Sequence, residues 1–194
     1  MLDWDGTVTE RDTLDLVLSR FGDVEIYERA EAELERGAMT LNDVISAEFA
    51  TVTAALDEVV AHVVAEARIR PGFAELARAR RPLVVSSGFH ELIEPVLERE
   101  GVLGEVEMLA NRVDARPDGW RVESRVDRLC SVCGESCKCG DLPHDGEIVY
   151  AGDGHSDYCA ALAADRVFAT GSLARYLDGQ GVRYEPLTDF RALV

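Results

Sequence analysis

Apolar residues recur three and four positions apart through DTLDLVLSRF, DVEIYERAEAELERG, TLNDVISAEF and ALDEVVAHVVAEA, each opening on an Asp or Thr or close behind one. This spacing predicts four amphipathic helices between Asp12 and about Ala67, packed as a small bundle. Arg70-Pro71-Gly72 interrupts the pattern, and a short helix to Arg80 follows. Beyond it the period changes. Leu83 to Val85 read as a buried strand, HELIEPVLEREG as a helix, and EVEMLANRVDARPDGWRVES as two strands around a Pro-Asp-Gly turn. Cys130 to Gly146 read as a loop. EIVYAGDG is an apolar strand ending in glycines, HSDYCAALAAD a helix, RVFAT a strand and GSLARYLDGQG a last helix. The opening MLDWDGTVT is the end of a strand running into a turn at Gly6. Strands alternating with helices predict an α/β fold built on a parallel sheet.

A chain of 194 residues has room for one well-packed core and a modest insertion. The formal net charge of -17 repels nucleic acid and anionic membranes, so neither is an expected partner. An anionic substrate must therefore be met by a local positive site made of a cation, backbone N–H groups and a few basic side chains. Nineteen of the basic residues are Arg and one is Lys, at position 138. No apolar run approaches the roughly 20 residues of a membrane helix, and the N-terminus lacks the basic and apolar pattern of a signal peptide. A cytoplasmic protein is expected. Asp3 stands two residues from the start, whereas a central strand usually has about five or six; residues added upstream are expected to raise stability through further ladder bonds.

Four places carry candidate chemistry. In Asp3-Trp4-Asp5-Gly6-Thr7, residues i and i+2 of an extended chain project to one side, which puts two carboxylates together. One can attack while the other handles protons. A calcium loop of the EF-hand type would need Gly sixth and Glu twelfth, yet Gly6 is fourth and Leu14 twelfth. Ser86-Ser87-Gly88 follows a buried strand and is expected to open a helix, where a hydroxyl and free N–H groups suit a phosphate oxygen, though Ser there also serves as an ordinary N-cap. Lys138 is either a solvated lysine or an anion-binding ammonium. In Gly152-Asp153-Gly154-His155-Ser156-Asp157, two acids beyond a strand end fit a hard cation that wants oxygen ligands.

In this order the four resemble the haloacid dehalogenase superfamily, whose pattern is DxDG[TS] after the first strand, Ser or Thr after the second, then a Lys, then GDxxxD. VVSSGF, LANRV and GDGHSDYCAA are similar to the phosphoserine phosphatase branch. The Cys-rich run before Lys138, ADRVFATGSLARYL and YEPLTDF resemble the methionine-salvage phosphatases acting on a methylthiopentenyl phosphate. Phosphocholine and phosphoethanolamine phosphatases are similar through the Cys-Lys pair and the GDG. The resemblance implies a Rossmann-like catalytic core over residues 1–11 and 70–194, and a helical cap over 12–69. It implies a Mg2+-dependent phosphoric monoester hydrolase acting on a small phosphomonoester through an aspartyl phosphate.

By the same resemblance Asp3 is the nucleophile and Asp5 the general acid and base. Ser86 and Lys138, with Ser87 and Gly88 beside them, hold phosphoryl oxygens. Asp3, Asp5 through its carbonyl, Asp153 and Asp157 serve the metal. Asp12, nine residues after the nucleophile, stands where the phosphoserine branch receives a substrate ammonium. The cap arginine that would grip a carboxylate is missing. Aligning ERGAMTLNDVIS puts Ser46 in its place, and no Arg lies between Arg36 and Arg68. A hydroxyl does not replace a bidentate guanidinium, so phosphoserine is disfavoured against an enol-type or amino-alcohol phosphate. The alternative is a binding or regulatory protein that keeps the fold without catalysis.

Cys130, Cys133, Cys137 and Cys139 form C-x2-C-x3-C-x-C. Four thiols in one loop of a cytoplasmic protein suggest a structural Zn2+ site over a disulfide framework, with reduced thiols or an adventitious disulfide as alternatives. Cys159, in a separate helix, is expected to be a buried thiol.

Overall fold

In the computed structural model, residues 1–126, 129–134 and 137–194 are described. The four periodic stretches are helices α1 (Thr13–Phe21), α2 (Val24–Glu35), α3 (Leu41–Phe49) and α4 (Leu56–Glu66). Local chemistry sets their starts. Asp12 accepts the N–H groups of Leu14 and Asp15, Asp23 those of Glu25 and Ile26, and Thr40 forms a reciprocal capping box with Asp43. Helix α5 (Phe73–Arg80) leads to β1 (Leu83–Phe89), α6 (His90–Arg99), β2 (Glu107–Asp114) and β3 (Arg121–Glu123). Then follow β4 (Val149–Gly152), α7 (Tyr158–Ala163), β5 (Arg166–Ala169), α8 (Gly171–Gln180) and a two-residue β6 (Glu185–Pro186).

Strand β1 pairs in parallel with β2, and β4 with β5 and β5 with β6, while β3 folds back antiparallel on β2. Leu2 joins the two halves, since it bridges Val84 on one side and Ala151 on the other, both in parallel. Its N–H donates to Leu83 O at 2.8 Å and its carbonyl accepts from Val85 N at 2.8 Å, while Asp3 N donates to Ala151 O at 2.9 Å. The result is the expected parallel α/β sheet, with the residues before Asp3 at its centre.

Helices α1 to α4 leave and return through two adjacent segments. Arg70 N donates to Val8 O and Glu10 N to Arg68 O, both at 2.8 Å. The insertion shares one apolar core with the sheet: Val17, Phe49, Val59 and Val63 belong to the same cluster as Phe89, Leu92 and Val96. Phe49 meets Phe89 edge to face at 4.6 Å between ring centroids. The turn after α3 is fastened to the β2–β3 hairpin, where Trp120 N donates to Phe49 O and Val52 O and its indole Nε1 to Ala54 O. Gly119 allows this approach, for a Cβ there would stand 2.1 Å from Ala50 O. No helix among the described residues is long and apolar enough to cross a membrane.

One expected element differs. Ser86-Ser87-Gly88 do not open a helix: β1 continues through them to Phe89, with a register shift between Val85 and Phe89, and α6 begins at His90. The strand can run on because Ser86 and Gly88 are buried and Asn111 Nδ2, from β2, donates to Ser87 O at 2.7 Å.

Candidate active site

Asp3 and Asp5 have extended backbone and the chain reverses only at Gly6, whose φ is +70°. Trp4 between them is fully buried and packs edge-on against Phe73. The two-residue period therefore sends the indole into the core and both carboxylates toward the carboxyl end of the sheet. Arg70 braces the turn from behind, donating to Thr7 O at 2.8 Å and Gly6 O at 2.9 Å. Gly6 also leaves room for Asp153, since a Cβ there would fall 2.3 Å from Asp153 Oδ2.

Asp5 is held on two sides. Thr13 donates to Oδ1 through its N–H at 2.8 Å and through its hydroxyl, and Ser86 Oγ donates to Oδ2 at 3.2 Å. Burial raises its pKa against the pull of Thr13. Ser86 Oγ also accepts Gly88 N–H at 2.8 Å, so that amide is directed at the serine.

Lys138 is buried at the head of a short 3-10 turn, Lys138–Asp141. Its ammonium donates to Asp3 Oδ1 and, at 2.7 Å, to Asp157 Oδ1. Burial opposes its charge, but Asp157 and Asp3 outweigh burial and hold its pKa above the ordinary lysine range. Asp157 is fully engaged: Oδ1 also accepts Tyr150 OH, and Oδ2 accepts Asp153 N–H at 2.9 Å and Gly154 N–H at 3.0 Å. Asp153 is freer, with Thr7 Oγ1 at 3.4 Å. Burial and then the Asp157 charge push its pKa to about 6. Burial likewise drives Asp3 well up despite Lys138. Asp3, Asp153 and Asp157 each offer an oxygen within 4.8 Å of the others. Three acids and one ammonium leave a surplus of negative charge in a set of hard oxygen donors, which suits a small divalent cation.

Asp3, Asp5 and Asp153 floor a cavity of about 300 Å³ between the strand ends and α1 to α3, while Ser86, Lys138 and Asp157 are buried outside its lining. Ser87 and Ser156 line it with Asp3, Asp5 and Asp153. A larger cleft of about 480 Å³, lined by Met1, Arg80, Glu147 and Arg166, lies at the amino ends of the strands and holds none of the candidate residues. Asp12 lines the smaller cavity while capping α1, with both capping bonds on Oδ1. Burial, then Asp5 and Asp15, raise its pKa well above the usual range.

The family model of the haloacid dehalogenase-like hydrolases matches residues 1–162. The chain belongs to that family. It is 26% identical over 200 residues to a 2-hydroxy-3-keto-5-methylthiopentenyl-1-phosphate phosphatase of Geobacillus thermodenitrificans, covering 97% of this chain and 90% of the relative. A protein of the same name from Exiguobacterium sibiricum is 24% identical, with coverage of 100% and 93%. Among solved structures, a phosphoserine phosphatase as a phospho-aspartyl intermediate analogue superposes with a TM-score of 0.71 at 19% identity, covering 99% of this chain and 94% of that one. That likeness places the chain in the same fold.

On the side of helices α1 to α4 this hydrolase departs from the sequence reading. Ser46 is exposed, and the polar residue that α3 brings to the cavity, beside Leu41, Val44 and Ile45, is Glu48. Val44, Ile45 and Glu48 share the inward face because helical positions i+1 and i+4 lie close together around the axis, whereas i+2 points away. Glu48 is 4% exposed and its Oε1 has no hydrogen-bond partner among the described residues. Burial, then Glu31 and Asp15, push its pKa to about 8. An acid on the apolar face of an amphipathic stretch was the available signal. Tyr150, Thr13 and Asn111 were equally unread as supports, since each acts through a partner distant in the chain or through a single turn.

The cysteines also need correction. Cys130, Cys133 and Cys137 group with Cys159 rather than Cys139. Cys139 lies two residues past Cys137 around the 3-10 turn, and its N–H donates to Cys137 Sγ at 3.4 Å. Cys159, on α7, faces the loop with its Sγ 3.9 Å from that of Cys130.

Proposed function

We propose that this hydrolase is a Mg2+-dependent phosphatase of small phosphomonoesters that works through a phosphorylated Asp3. The observation that carries the reading is the convergence of Asp3, Asp5, Ser86, Lys138 and Asp153 at the strand ends beneath one cavity. In it residues 1–11 and 70–194 are the catalytic core and 12–69 the cap.

Asp3 and Asp153, with the carbonyl of Asp5, would hold Mg2+, and Asp157 would stand behind them as the anchor of Lys138 and of the 153–154 amides. When bound, the metal supplies positive charge against the phosphoryl oxygens. Asp3 attacks phosphorus and the ester oxygen leaves, taking a proton from Asp5. The raised pKa of Asp5 suits a group that begins protonated. Asp5 then takes a proton from water, whose oxygen attacks the aspartyl phosphate and frees Asp3 and inorganic phosphate. Ser86 and Lys138 hold the phosphoryl group through both steps.

The cavity wall supports an amino-alcohol leaving group, such as choline or ethanolamine. Glu48, Asp15 and Asp12 line it with Tyr27, whose hydroxyl donates to Asp15 Oδ1 at 3.2 Å. A cationic nitrogen would meet the unsatisfied Oε1 of Glu48 and offset the cost of its burial. A methylthiopentenyl phosphate is the second reading, supported by the relatives' names and by the apolar residues Leu14, Leu18, Leu41 and Ile45 on the same wall. The test is kcat/KM with Mg2+ for phosphocholine, phosphoethanolamine, phosphoserine and a methylthiopentenyl phosphate analogue. An amino-alcohol phosphate is expected to lead by at least about tenfold, the worth of one charge-assisted contact. Phosphoserine leading would overturn both readings of the wall, and no turnover of p-nitrophenyl phosphate would favour a silent binding protein.

A further inference from the structure

We propose that Cys130, Cys133, Cys137 and Cys159 hold one Zn2+ as a structural four-thiolate site that fastens the Lys138 loop to the start of α7. One sulfur from each of the four lies within 4.8 Å of the others. A tetrahedral site with Zn–S bonds of about 2.3 Å places its sulfurs about 3.8 Å apart; the Cys130 and Cys159 sulfurs are 3.9 Å apart. Ordinary core packing does not account for the group, because Cys133 is exposed and Cys130 half-buried. Disulfide pairing does not require four mutually close sulfurs either.

Two further features point the same way. Between β3 and β4, the 3-10 turn Lys138–Asp141 is the one regular element among the described residues, and the apolar side chains Leu129 and Val132 are 58% and 78% exposed. These side chains contribute little burial, yet the loop delivers a fully buried lysine, so ties other than apolar packing, the Arg125–Asp141 pair among them, order it. Backbone N–H groups also already point at the sulfurs: Val132 N donates to Cys130 Sγ and Cys139 N to Cys137 Sγ, both at 3.4 Å. Amides directed at sulfur stabilise thiolate and orient it for a metal. Binding releases the thiol protons to solvent and leaves sulfur and zinc in their oxidation states, so no redox partner is required.

The position gives the site its effect. Cys137 immediately precedes Lys138, and Cys159 follows Asp157 by two residues. Zinc would thus clamp together the segments that carry the 2.7 Å Lys138–Asp157 pair. This consequence rests on the phosphatase reading, whereas metal content does not.

The test begins with protein expressed with zinc in the medium and purified under reductant without chelator or added metal. Elemental analysis is expected to give about one zinc per chain, and cobalt exchange the sulfur-to-cobalt charge-transfer and tetrahedral d–d bands of a thiolate site. Cys130→Ser and Cys159→Ser should each lose the metal, and Cys139→Ser should keep it. Removing zinc and restoring Mg2+ should lower kcat/KM about tenfold or more and lower the melting temperature, both reversed by zinc. Zinc well under one equivalent in the wild type would overturn the site, as would Cys139→Ser losing the metal while Cys159→Ser retains it. Unchanged kcat/KM in zinc-free protein would overturn the clamp. A zinc-loaded protein with no phosphatase activity would instead sink the proposed function and leave the metal site standing.

Discussion

Lys138 Nζ lies 2.7 Å from Asp157 Oδ1, with both side chains buried and nineteen positions apart in the chain. The same ammonium reaches Asp3. One cation thus ties the proposed nucleophile to the aspartate that orders the 153–154 turn, and removing it leaves two buried carboxylates facing each other. Lys138→Met is expected to cost about 3–5 kcal/mol of stability, the usual cost of breaking a buried ion pair from one side. It should also lower kcat/KM by at least about a hundredfold, in line with loss of a group that stabilises transition-state charge. Urea denaturation and steady-state kinetics with p-nitrophenyl phosphate check both. Arginine should restore little of the activity, because a planar guanidinium does not fit a cavity shaped for a point ammonium.

Asp3→Asn removes the charge of the proposed nucleophile at nearly constant volume, and Asp157 remains to pair with Lys138. Turnover should fall to background while circular dichroism stays native. Asp5→Asn should be severely impaired and accumulate phosphorylated Asp3 detectable by intact mass, since the water step loses its base. Chelation of Mg2+ should silence the wild type, with recovery on adding it back.

Gly6→Ala should damage the site without touching a reactive group. The position has φ of +70°, and an added Cβ would meet Asp153 Oδ2 at 2.3 Å. A left-handed non-glycine residue costs about 1–2 kcal/mol, and displacing a positioned carboxylate by about 1 Å can cost a hundredfold in rate. The KM for Mg2+ should rise along with the loss of kcat. Kinetics at varied Mg2+ would expose an unchanged variant.

Glu48 sets a pH dependence. Its pKa is pushed to about 8 from the ordinary 4.5 of a glutamate, chiefly by burial and then by Glu31 and Asp15. Between those two values the folded protein holds a proton that the unfolded chain has released. The stability associated with Glu48 is therefore fully present below pH 4.5, falls as pH rises, and is lost above about 8. Glu48→Gln should flatten this slope and raise the melting temperature more in alkaline than in acidic buffer. A bound ammonium would favour the charged Glu48, so the same variant should lower kcat/KM for an amino-alcohol phosphate about tenfold and leave p-nitrophenyl phosphate almost unaffected. Melting curves from about pH 5 to 9 with parallel kinetics decide it, and a wild-type slope retained in Glu48→Gln would count against the assignment.

Helices α1 to α4 were legible because the causes of a helix are local. A 3.6-residue apolar period and capping residues such as Asp12, Asp23 and Thr40 act within one or two turns. The shared side of Asp3 and Asp5 was legible for a similar reason, since a two-residue period needs only an extended backbone, and Gly6 marks where it ends. Strand β5 followed from the same kind of pattern, and so did the middle of the HSDYCAALAAD helix, although His155–Asp157 form a 3-10 turn ahead of α7.

What the tertiary structure alone decided are relationships between segments that meet only through strand order and packing. No local rule brings Lys138 to Asp3, 135 positions away, or makes Leu2 the seam between two halves of the sheet. Glu48 lines the cavity in place of Ser46 because the buried seat of Phe49 against Phe89 and Trp120 fixes the rotation of α3. Cys159 joins the loop cysteines because α7 packs against the Lys138 turn, and it takes the fourth place in the mutually close group in place of Cys139. Even the strand through Ser86-Ser87-Gly88 persists by virtue of Asn111 on a neighbouring strand. By itself the sequence determined which segments are helix or strand and which residue types they carry to their ends, because backbone sterics and side-chain periodicity act over a few residues. Which of those ends meet was decided by burial of a common core, a free energy that belongs to the whole chain.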